Sequence, residues 1–404
     1  MVCARTKTFA TMFKAITRTV LVLSLISLFN DAASELLIPV MPIYLKSIGF
    51  SVVLIGVLEG LAEATAGLTK GYFGHRSDML GRRAPFVRIG YLMSALAKPM
   101  MAVIAAPLWV FGARTLDRLG KGVRTAARDA LLNDEATPTS RGAVFGFHRA
   151  MDTVGAVIGP ALALLFLHFH PEQYRVLFLL AIAPGVIAVG ISFLVKDHRA
   201  RPKDNPAKAS LFAFLGYWRR APQGYRKLVI GLLAFALFNS ADAFLLLRLK
   251  TTGISDSGVI GCYIFYNLVF ALASFPLGHL ADRIGLRPTM LAGLVLFAAV
   301  YFGMACEGSL LYYGGLLLIY GLYAAATDGV SKAWIASLAG EQDTATAIGF
   351  FTGFQSIAAL VASSVTGLLW YGLGPAAAFL ATGGMTVGVV VYLLIATTSG
   401  RRSV

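Results

Sequence analysis

Twelve apolar segments, each about long enough to cross a lipid bilayer, constrain the fold of this sequence more than any other feature. A spanning helix needs about 20 apolar residues. The segments are residues 18–45, 52–73, 86–106, 108–133, 143–168, 174–196, 228–250, 254–279, 288–306, 309–337, 344–370 and 375–398. The sequence therefore predicts an all-α membrane protein with twelve transmembrane helices.

The composition agrees with a chain that lies mostly in lipid. Hydrophobic residues make up 57% of the 404 residues and charged residues 14%, and the mean hydropathy is +0.73. A soluble protein of this length would need more polar surface. The first apolar run continues past Leu45 without a small-residue cleavage site in a suitable place. We interpret it as a spanning helix and not as a removed leader.

The basic residues indicate an orientation. The formal net charge is +15, from 35 Lys and Arg against 20 Asp and Glu. In a soluble protein this excess would favour a nucleic-acid partner, but here the basic residues cluster in the N-terminus, the loop after the second segment, the central loop and the tail. Basic loops stay on the cytoplasmic side. We therefore expect both termini in the cytoplasm, a cell inner membrane location and no nucleic-acid partner.

A charged loop occurs twice and indicates a duplicated chain. Residues 74–83 and 278–287 each contain a Gly, an Asp four residues later, a Gly three further on and a basic residue. Leu28-Phe29-Asn30 also matches Leu237-Phe238-Asn239, and Gly146-Phe147 matches Gly349-Phe350. Repeated halves are typical of transporters. The predicted domains are 1–196, a linker 197–227, and 228–404.

The linker contains an aromatic run, Leu211 to Trp218, followed by Arg219-Arg220. Such a run is typical of a helix that lies on the cytoplasmic surface of the membrane. An ordinary tether between the two halves is the alternative, and the two interpretations are compatible.

These features resemble the major facilitator superfamily over nearly the whole chain. The loop at Gly74–Arg83 is similar to the superfamily's signature loop after its second helix, and Asp134 followed by Arg141-Gly142 is similar to its usual passage into the fifth helix. The stretch with Gly155, Gly159 and Pro160 resembles the motif of its antiporter members. Leu37 to Pro42 resembles the first helix of the tetracycline-type and multidrug efflux branch.

The resemblance implies two pseudo-symmetric six-helix bundles, the major facilitator fold, in a monomer that works by alternating access. It also implies that Asp78 faces the N-terminus of a helix in the second bundle and that Arg82 pairs with Asp134. The gate residues carried over are Gly74, Asp78, Gly81, Arg82, Asp134, Asp282 and Arg287. The alternative is that these charges only set the orientation at the membrane surface.

Charged side chains at membrane depth are the candidates for ion coupling, because each costs at least roughly 2.5 kcal/mol there. The acids are Asp31, Glu35, Glu63 and Asp152, and the basic partners on the fourth segment are Arg114, Arg118 and Lys121. They could form a fixed internal network. They could instead let Asp31 or Glu35 take up and release protons, and the resemblance favours this second interpretation.

Aromatic and amide side chains supply candidates for substrate binding, since such residues suit a small-molecule pocket. The predicted residues are Asn30, Asp242, Tyr263, Tyr266, Asn267, Phe354 and Gln355. Ordinary helix packing is the alternative for each of them.

The function that these patterns favour is proton-coupled export of a small organic compound. Proton-coupled import of an anionic metabolite or a metal chelate is the alternative, and a transporter-like membrane sensor is a third possibility. The sequence contains no nucleophilic Cys/His pair, phosphate-binding loop or metal-ligand spacing. We therefore predict no catalytic residues, no enzyme activity, no metal and no cofactor. The expected partners are a small-molecule substrate, protons and the lipid bilayer.

Overall fold

Helices form most of the structure, a computed structural model that describes residues 14–37, 41, 44, 45, 48–50, 52–104, 106–170, 172–197 and 212–397. The helices of the first sequence half are α1 Arg18–Glu35, α2 Val52–Leu80, α3 Ala84–Val103, α4 Pro107–Glu135, α5 Arg141–Phe169, α6 Tyr174–Leu180 and α7 Ile182–Ser192. Those of the second half are α8 Gln223–Ala236, α9 Ala243–Thr251, α10 Asp256–Ile284, α11 Leu286–Ala305, α12 Leu310–Leu338, α13 Thr344–Leu373 and α14 Pro375–Ala396.

These helices confirm the predicted all-α membrane fold. Helices α6 and α7 together form the sixth predicted segment, and α8 and α9 form the seventh, which is broken between them. Within the described residues, eight helical stretches are long and apolar enough to cross a membrane. Large apolar side chains of these helices, such as Leu272, Leu311 and Leu368, are exposed. Contact with lipid tails accounts for such exposure in a multi-pass membrane protein.

The duplication is visible in the lengths of the helices. Helices α2 to α5 contain 29, 20, 29 and 29 residues, and α10 to α13 contain 29, 20, 29 and 30. In both halves the charged loop turns at a glycine with positive φ, 60° at Gly81 and 106° at Gly285. Side chains other than that of glycine rarely adopt this conformation. In both loops a glycine with positive φ therefore ends the first helix, and the next helix begins at Ala84 in the first loop and at Leu286 in the second.

The described chain forms two compact units that do not follow the sequence halves. The first unit takes in the chain up to Thr137, Met151–Tyr217 and Gly340–Gly353, and the second takes in Pro138–Ala150, Trp218–Ala339 and the chain from Phe354. Each unit thus includes the beginning of one helix, α13 or α5, from the other half. The predicted domain boundaries at residues 196 and 228 therefore remain a proposal about where the two sequence repeats end and begin.

The end of the linker docks into the first unit, where the ring of Phe214 is buried. Phe214, in a short 3₁₀ turn that precedes the one-turn helix Tyr217–Arg220, is 5% exposed. A Cβ atom at Gly71 of α2 would lie 2.6 Å from its ring, and the Phe350 ring centroid is 6.2 Å away. Phe212 is 60% exposed. Phe214 and Tyr217 of the run are therefore buried and Phe212 points outward, while residues 198–211 of the predicted linker lie outside the described residues.

We expect Phe214→Ala to lower the free energy of unfolding by about 2 kcal/mol, because it removes a buried ring. Phe212→Ala is the matched control and should change it by less than about 0.5 kcal/mol, as for an exposed side chain. Thermal unfolding of the detergent-solubilised protein measures both. Equal unfolding temperatures for the two variants would show that Phe214 does not anchor the linker.

Candidate functional site

The carboxylate of Asp78 caps a helix that comes from the other half of the sequence. It accepts hydrogen bonds from the main-chain N–H of Thr346 at 2.7 Å and of Ala345 at 3.4 Å, and from the Thr346 hydroxyl at 2.7 Å. Helix α13 begins at Thr344, so these N–H groups have no partner within the helix. The first turn of a helix also favours negative charge. The contact is the one that the family resemblance implies for Asp78.

Asp282 repeats this arrangement in the second unit. Its two carboxylate oxygens accept hydrogen bonds from the main-chain N–H of Gly142 at 2.7 Å and of Ala143 at 2.8 Å, at the start of α5. In each copy of the loop, the aspartate therefore caps a helix that belongs to the other half of the sequence: Asp78 caps α13 and Asp282 caps α5.

Glycines allow these helices to cross closely. In the second unit, Gly142 and Gly146 of α5 lie against the main chain of Gly278 and Ser274 of α10. In the first unit, a Cβ atom at Gly349 of α13 would lie 2.5 Å from the Lys70 carbonyl oxygen. A larger residue at these crossings would separate the helices. The main-chain contact is what brings each aspartate to its helix end.

The ion pair predicted for Arg82 is made by Arg83, so that prediction was wrong by one residue. The guanidinium of Arg83 pairs with Asp134, and its other nitrogen lies 3.3 Å from Asp78. Arg82 is exposed. The chain turns at Gly81, where φ is positive, and the next two side chains point to opposite sides. Adjacent arginines cannot be told apart by sequence, because only the turn decides which one faces inward.

Arg287, the basic residue of the second loop, has a different partner. Its guanidinium donates a hydrogen bond to the carbonyl oxygen of Leu394 at 2.8 Å, near the end of α14. A cation at a helix C-terminus is favourable because carbonyl groups there lack partners within the helix. The predicted gate role of Arg287 remains a proposal.

Two carboxyl groups lie side by side where α1 meets α5. Asp31 of α1 and Asp152 of α5 are in hydrogen-bonding contact. The Asn30 amide donates to Asp31 at 3.1 Å, and the Ser27 hydroxyl donates to Asp152. Arg128 of α4 donates in turn to the Ser27 oxygen at 3.1 Å. The structure thus brings together two of the four predicted coupling acids.

The antiporter-like motif is what lets these two helices approach. A Cβ atom at Gly155 would lie 3.0 Å from the Ala32 nitrogen, and one at Gly159 would lie 2.7 Å from the Ala32 oxygen. Pro160 follows inside α5. The motif therefore packs α5 against the face of α1 that carries Asp31 and, one turn on, Glu35.

The basic side chains of α4 find acids on their own helix. Asp117 lies 3.5 Å from Arg114 and 3.6 Å from Lys98 of α3. Arg128 pairs with the next residue, Asp129, at 2.9 Å. These contacts match the interpretation of a fixed network, although the acids are Asp117 and Asp129 of α4 and not the four acids named from the sequence.

Arg124 is the base that the sequence prediction missed. It is close enough for its charge to act on Asp31. It donates to the Ser94 hydroxyl at 2.6 Å and lies over the Tyr91 ring, 4.6 Å from the centroid. Its position, three residues after Lys121 and four before Arg128, belongs to the same helical stripe, so the spacing could have included it.

The remaining predicted charges lie on the same helices. Glu35 ends α1 and its charge acts on Asp31. Arg118 and Lys121 are half-buried on α4 and make contacts of their own. The side chain of Glu63 on α2 lies outside the described residues, as does most of the efflux-like stretch Leu37 to Pro42.

In the second unit the predicted substrate residues partly converge on Asp242. Its carboxylate accepts hydrogen bonds from the hydroxyl groups of Tyr266 and Tyr320, the latter at 2.6 Å. The Tyr263 ring contacts that of Tyr266 at 5.5 Å between centroids. Tyr320 was not predicted because it lies 78 residues from Asp242 along the chain.

The other predicted substrate residues have separate surroundings. Asn267 is buried and donates to the Tyr263 carbonyl oxygen within α10 at 3.0 Å. Phe354 is half-buried and Gln355 is exposed on α13. Asn30 belongs to the acid pair of the first unit.

Within the described residues, eight candidate membrane spans and the buried charged groups between them are those of a polytopic membrane protein. The model of the Major Facilitator Superfamily matches residues 23–266 and, in a second match, 228–403. The chain belongs to this superfamily, which confirms the fold predicted from the repeated loop.

Similar proteins agree on the family. An uncharacterized MFS-type transporter of Methanocaldococcus jannaschii, MJ1317, is 30% identical over 88% of this chain and 89% of its own. The multi-drug resistance efflux pump PmrA homolog of Lactococcus lactis is 24% identical over 72% of this chain and 73% of its own. The crystal structure of the human organic anion transporter MFSD10 matches with a TM-score of 0.80 at 18% identity, over 93% of this chain and 99% of that chain. At this identity the match to MFSD10 shows the fold alone.

The corrected ion pair gives a direct test. We expect Arg83→Ala to lower the free energy of unfolding by about 3 kcal/mol, because it leaves Asp78 and Asp134 without their shared cation. Arg82→Ala, which removes the same charge from an exposed position, should change it by less than about 0.5 kcal/mol. Thermal unfolding in detergent compares the two. A larger loss for Arg82→Ala would restore the original prediction.

Proposed function

We propose that this transporter exports a small organic compound in exchange for protons, by alternating access in a cell inner membrane with both termini in the cytoplasm. The observation that carries the proposal is the contact between Asp31 and Asp152. The contact lies where the glycines of the antiporter-like motif pack against α1.

A pair of touching carboxyl groups can store one proton. Two carboxylates in contact repel each other strongly, so such a pair shares a proton. Losing that proton would replace a hydrogen bond between α1 and α5 with repulsion between two charges. Protonation is thereby linked to the relative positions of two helices, which a coupled transporter requires.

The neighbouring groups can stabilise the deprotonated state. Ser27 connects Asp152 to the Arg128 guanidinium through two hydrogen bonds, and the charge of Arg124 acts on Asp31. A charge at membrane depth needs such compensation. The pair can therefore release its proton without leaving an isolated charge in the membrane.

The helix caps at Asp78 and Asp282 fit the gate role in this proposal. Each carboxylate holds main-chain N–H groups of a helix from the other sequence half. Movement of the two halves apart on that side requires these bonds to break. Only a few hydrogen bonds are involved, so a free-energy difference of a few kilocalories per mole is enough to shift the equilibrium between the state with these bonds and the state without them.

Export is favoured over import by two observations. The motif around Gly155 and Gly159 resembles that of antiporters and packs against the acid pair. The Lactococcus lactis relative is named as a multidrug efflux pump. Import of an anionic metabolite is the second candidate, and it rests on the bases of α4, which include Arg114, Arg124 and Arg128 among its buried residues.

Reconstituted vesicles with trapped pyranine, a pH indicator, test the proposal. Ethidium, a cation, and fluorescein, an anion, serve as probe compounds. We expect vesicles with an acidic interior to take up a probe while protons leave. Uptake only from an acidic exterior would establish import, and no movement of either probe with either gradient would favour the sensor.

Variants of the acid pair test the coupling. We expect Asp31→Asn and Asp152→Asn to reduce uptake driven by the pH gradient about tenfold or more, in the range typical of linked sites. Exchange of probe for probe without a gradient should persist, because it needs no proton. Glu307→Gln, which removes an exposed carboxylate, is the control. Normal gradient-driven uptake in both asparagine variants would contradict proton coupling at this pair.

A further inference from the structure

Asp242 lies at a break in the middle of a spanning segment. Helix α8 ends at Ala236 and α9 begins at Ala243, with Asp242 as its N-cap residue. Nine helical residues follow, so at about 1.5 Å per residue the carboxylate is roughly 14 Å from the end of the segment. That is close to the middle of a bilayer core of about 30 Å. Broken helices at this depth form binding sites in transporters.

The partners of this carboxylate are neutral. Its two oxygens accept hydrogen bonds from Tyr266 and Tyr320, and none of the ion pairs within the described residues includes it. Asp328, on α12 of the same unit, by contrast has Arg149 at 2.6 Å. Because phenol hydroxyls donate to both oxygens, the arrangement fits the ionised carboxylate. Among the residues that the structure describes, a negative charge on this carboxylate therefore has no cation paired with it.

The break also carries polar atoms that lack hydrogen-bond partners of good geometry. The side-chain oxygen of Asn239 is buried without a hydrogen-bond partner. Ser240 is 4% exposed. Its hydroxyl lies beside the Tyr301 hydroxyl, and neither group makes a hydrogen bond of good geometry. Buried polar atoms are normally satisfied, so such atoms call for an explanation. A ligand that brings N–H donors would satisfy them.

Aromatic rings line the same place. The rings of Tyr263, Tyr266, Tyr320 and Tyr323 follow one another with centroid separations of 5.5, 5.4 and 5.3 Å. The Asn239 amide lies 3.3 Å from the Tyr323 hydroxyl, which connects the break to this row. Ring faces attract cations, and a carboxylate beside them adds charge and hydrogen-bond acceptors. The chemistry matches an organic ammonium group.

We infer that Asp242, with the tyrosines around it, binds a positively charged amino group of the transported compound, so that the substrates are organic cations. The inference rests on the proposed function, in which a small organic compound is carried. It assigns recognition of the substrate to Asp242 and leaves proton exchange to Asp31 and Asp152. The two acid sites then have separate tasks and can be tested separately.

Binding to the purified full-length protein in nanodiscs tests the inference by fluorescence anisotropy. The probes are ethidium and monodansylcadaverine, which are cations, and fluorescein, which is an anion. We expect the cations to bind and Asp242→Asn to weaken their binding about tenfold or more, as for loss of a charge-assisted contact. Glu307→Gln removes an exposed carboxylate and should leave binding unchanged. Tyr320→Phe, which keeps the ring and removes one hydroxyl, should weaken it less than Asp242→Asn does.

Two results would overturn the inference: binding of neither cation, or cation binding by Asp242→Asn equal to that of the wild-type protein. Size-exclusion elution and thermal unfolding check that Asp242→Asn is folded. Saturable binding of the cations by the variant at high probe concentration checks this independently. Asp31→Asn separates the two proposals, because it should bind cations normally. If cation binding depends on Asp242 but no proton-driven transport occurs, this inference is supported and the proposed proton coupling is refuted. If fluorescein alone is transported in exchange for protons, the proton coupling is supported and this inference is refuted.

Discussion

The cost of placing charge inside a membrane governs the polar interior of this protein, and its features follow from how each charge is compensated. Asp117 is compensated by fixed bases on neighbouring turns and helices. Asp78 and Asp282 are compensated by main-chain N–H groups at helix ends. In our proposal Asp31 and Asp152 are compensated by a shared proton, and Asp242 by a cationic substrate. Only the last two partners can leave, and transport requires partners that leave.

Glycine sets the distances at which these compensations occur. Gly155 and Gly159 let α5 touch the main chain of α1, and Gly146 and Gly349 allow the corresponding approach of α5 to α10 and of α13 to α2. Helices held apart by side chains would leave the carboxyl groups several ångströms from their partners. Because electrostatic attraction weakens with distance and hydrogen bonds fail beyond a short range, close main-chain packing is a condition for the contact of Asp31 with Asp152 and for the helix caps at Asp78 and Asp282.

The duplication is preserved in some parts of the protein and lost in others. Helix lengths, the glycine turns and the aspartate caps occur in both halves. The contacting acid pair belongs to the first unit, and the carboxylate held by tyrosines belongs to the second. The features that the two halves share are thus those that hold helices together. The differences between the repeats are where we place proton exchange and substrate recognition.

The sequence by itself determined the all-α membrane fold and the repeated charged loop, because apolar length, loop charge and a repeated motif are local properties of a chain. It also selected Asp31 and Asp152 as charged groups at membrane depth, and Asp242 and Tyr266 as candidates for substrate binding. Tertiary structure alone decided that Arg83 and not Arg82 faces Asp78, and that Tyr320 reaches Asp242. The reason is physical: which side chains meet depends on how each helix is rotated about its axis and how closely its neighbours approach, and neither quantity is encoded in any single segment.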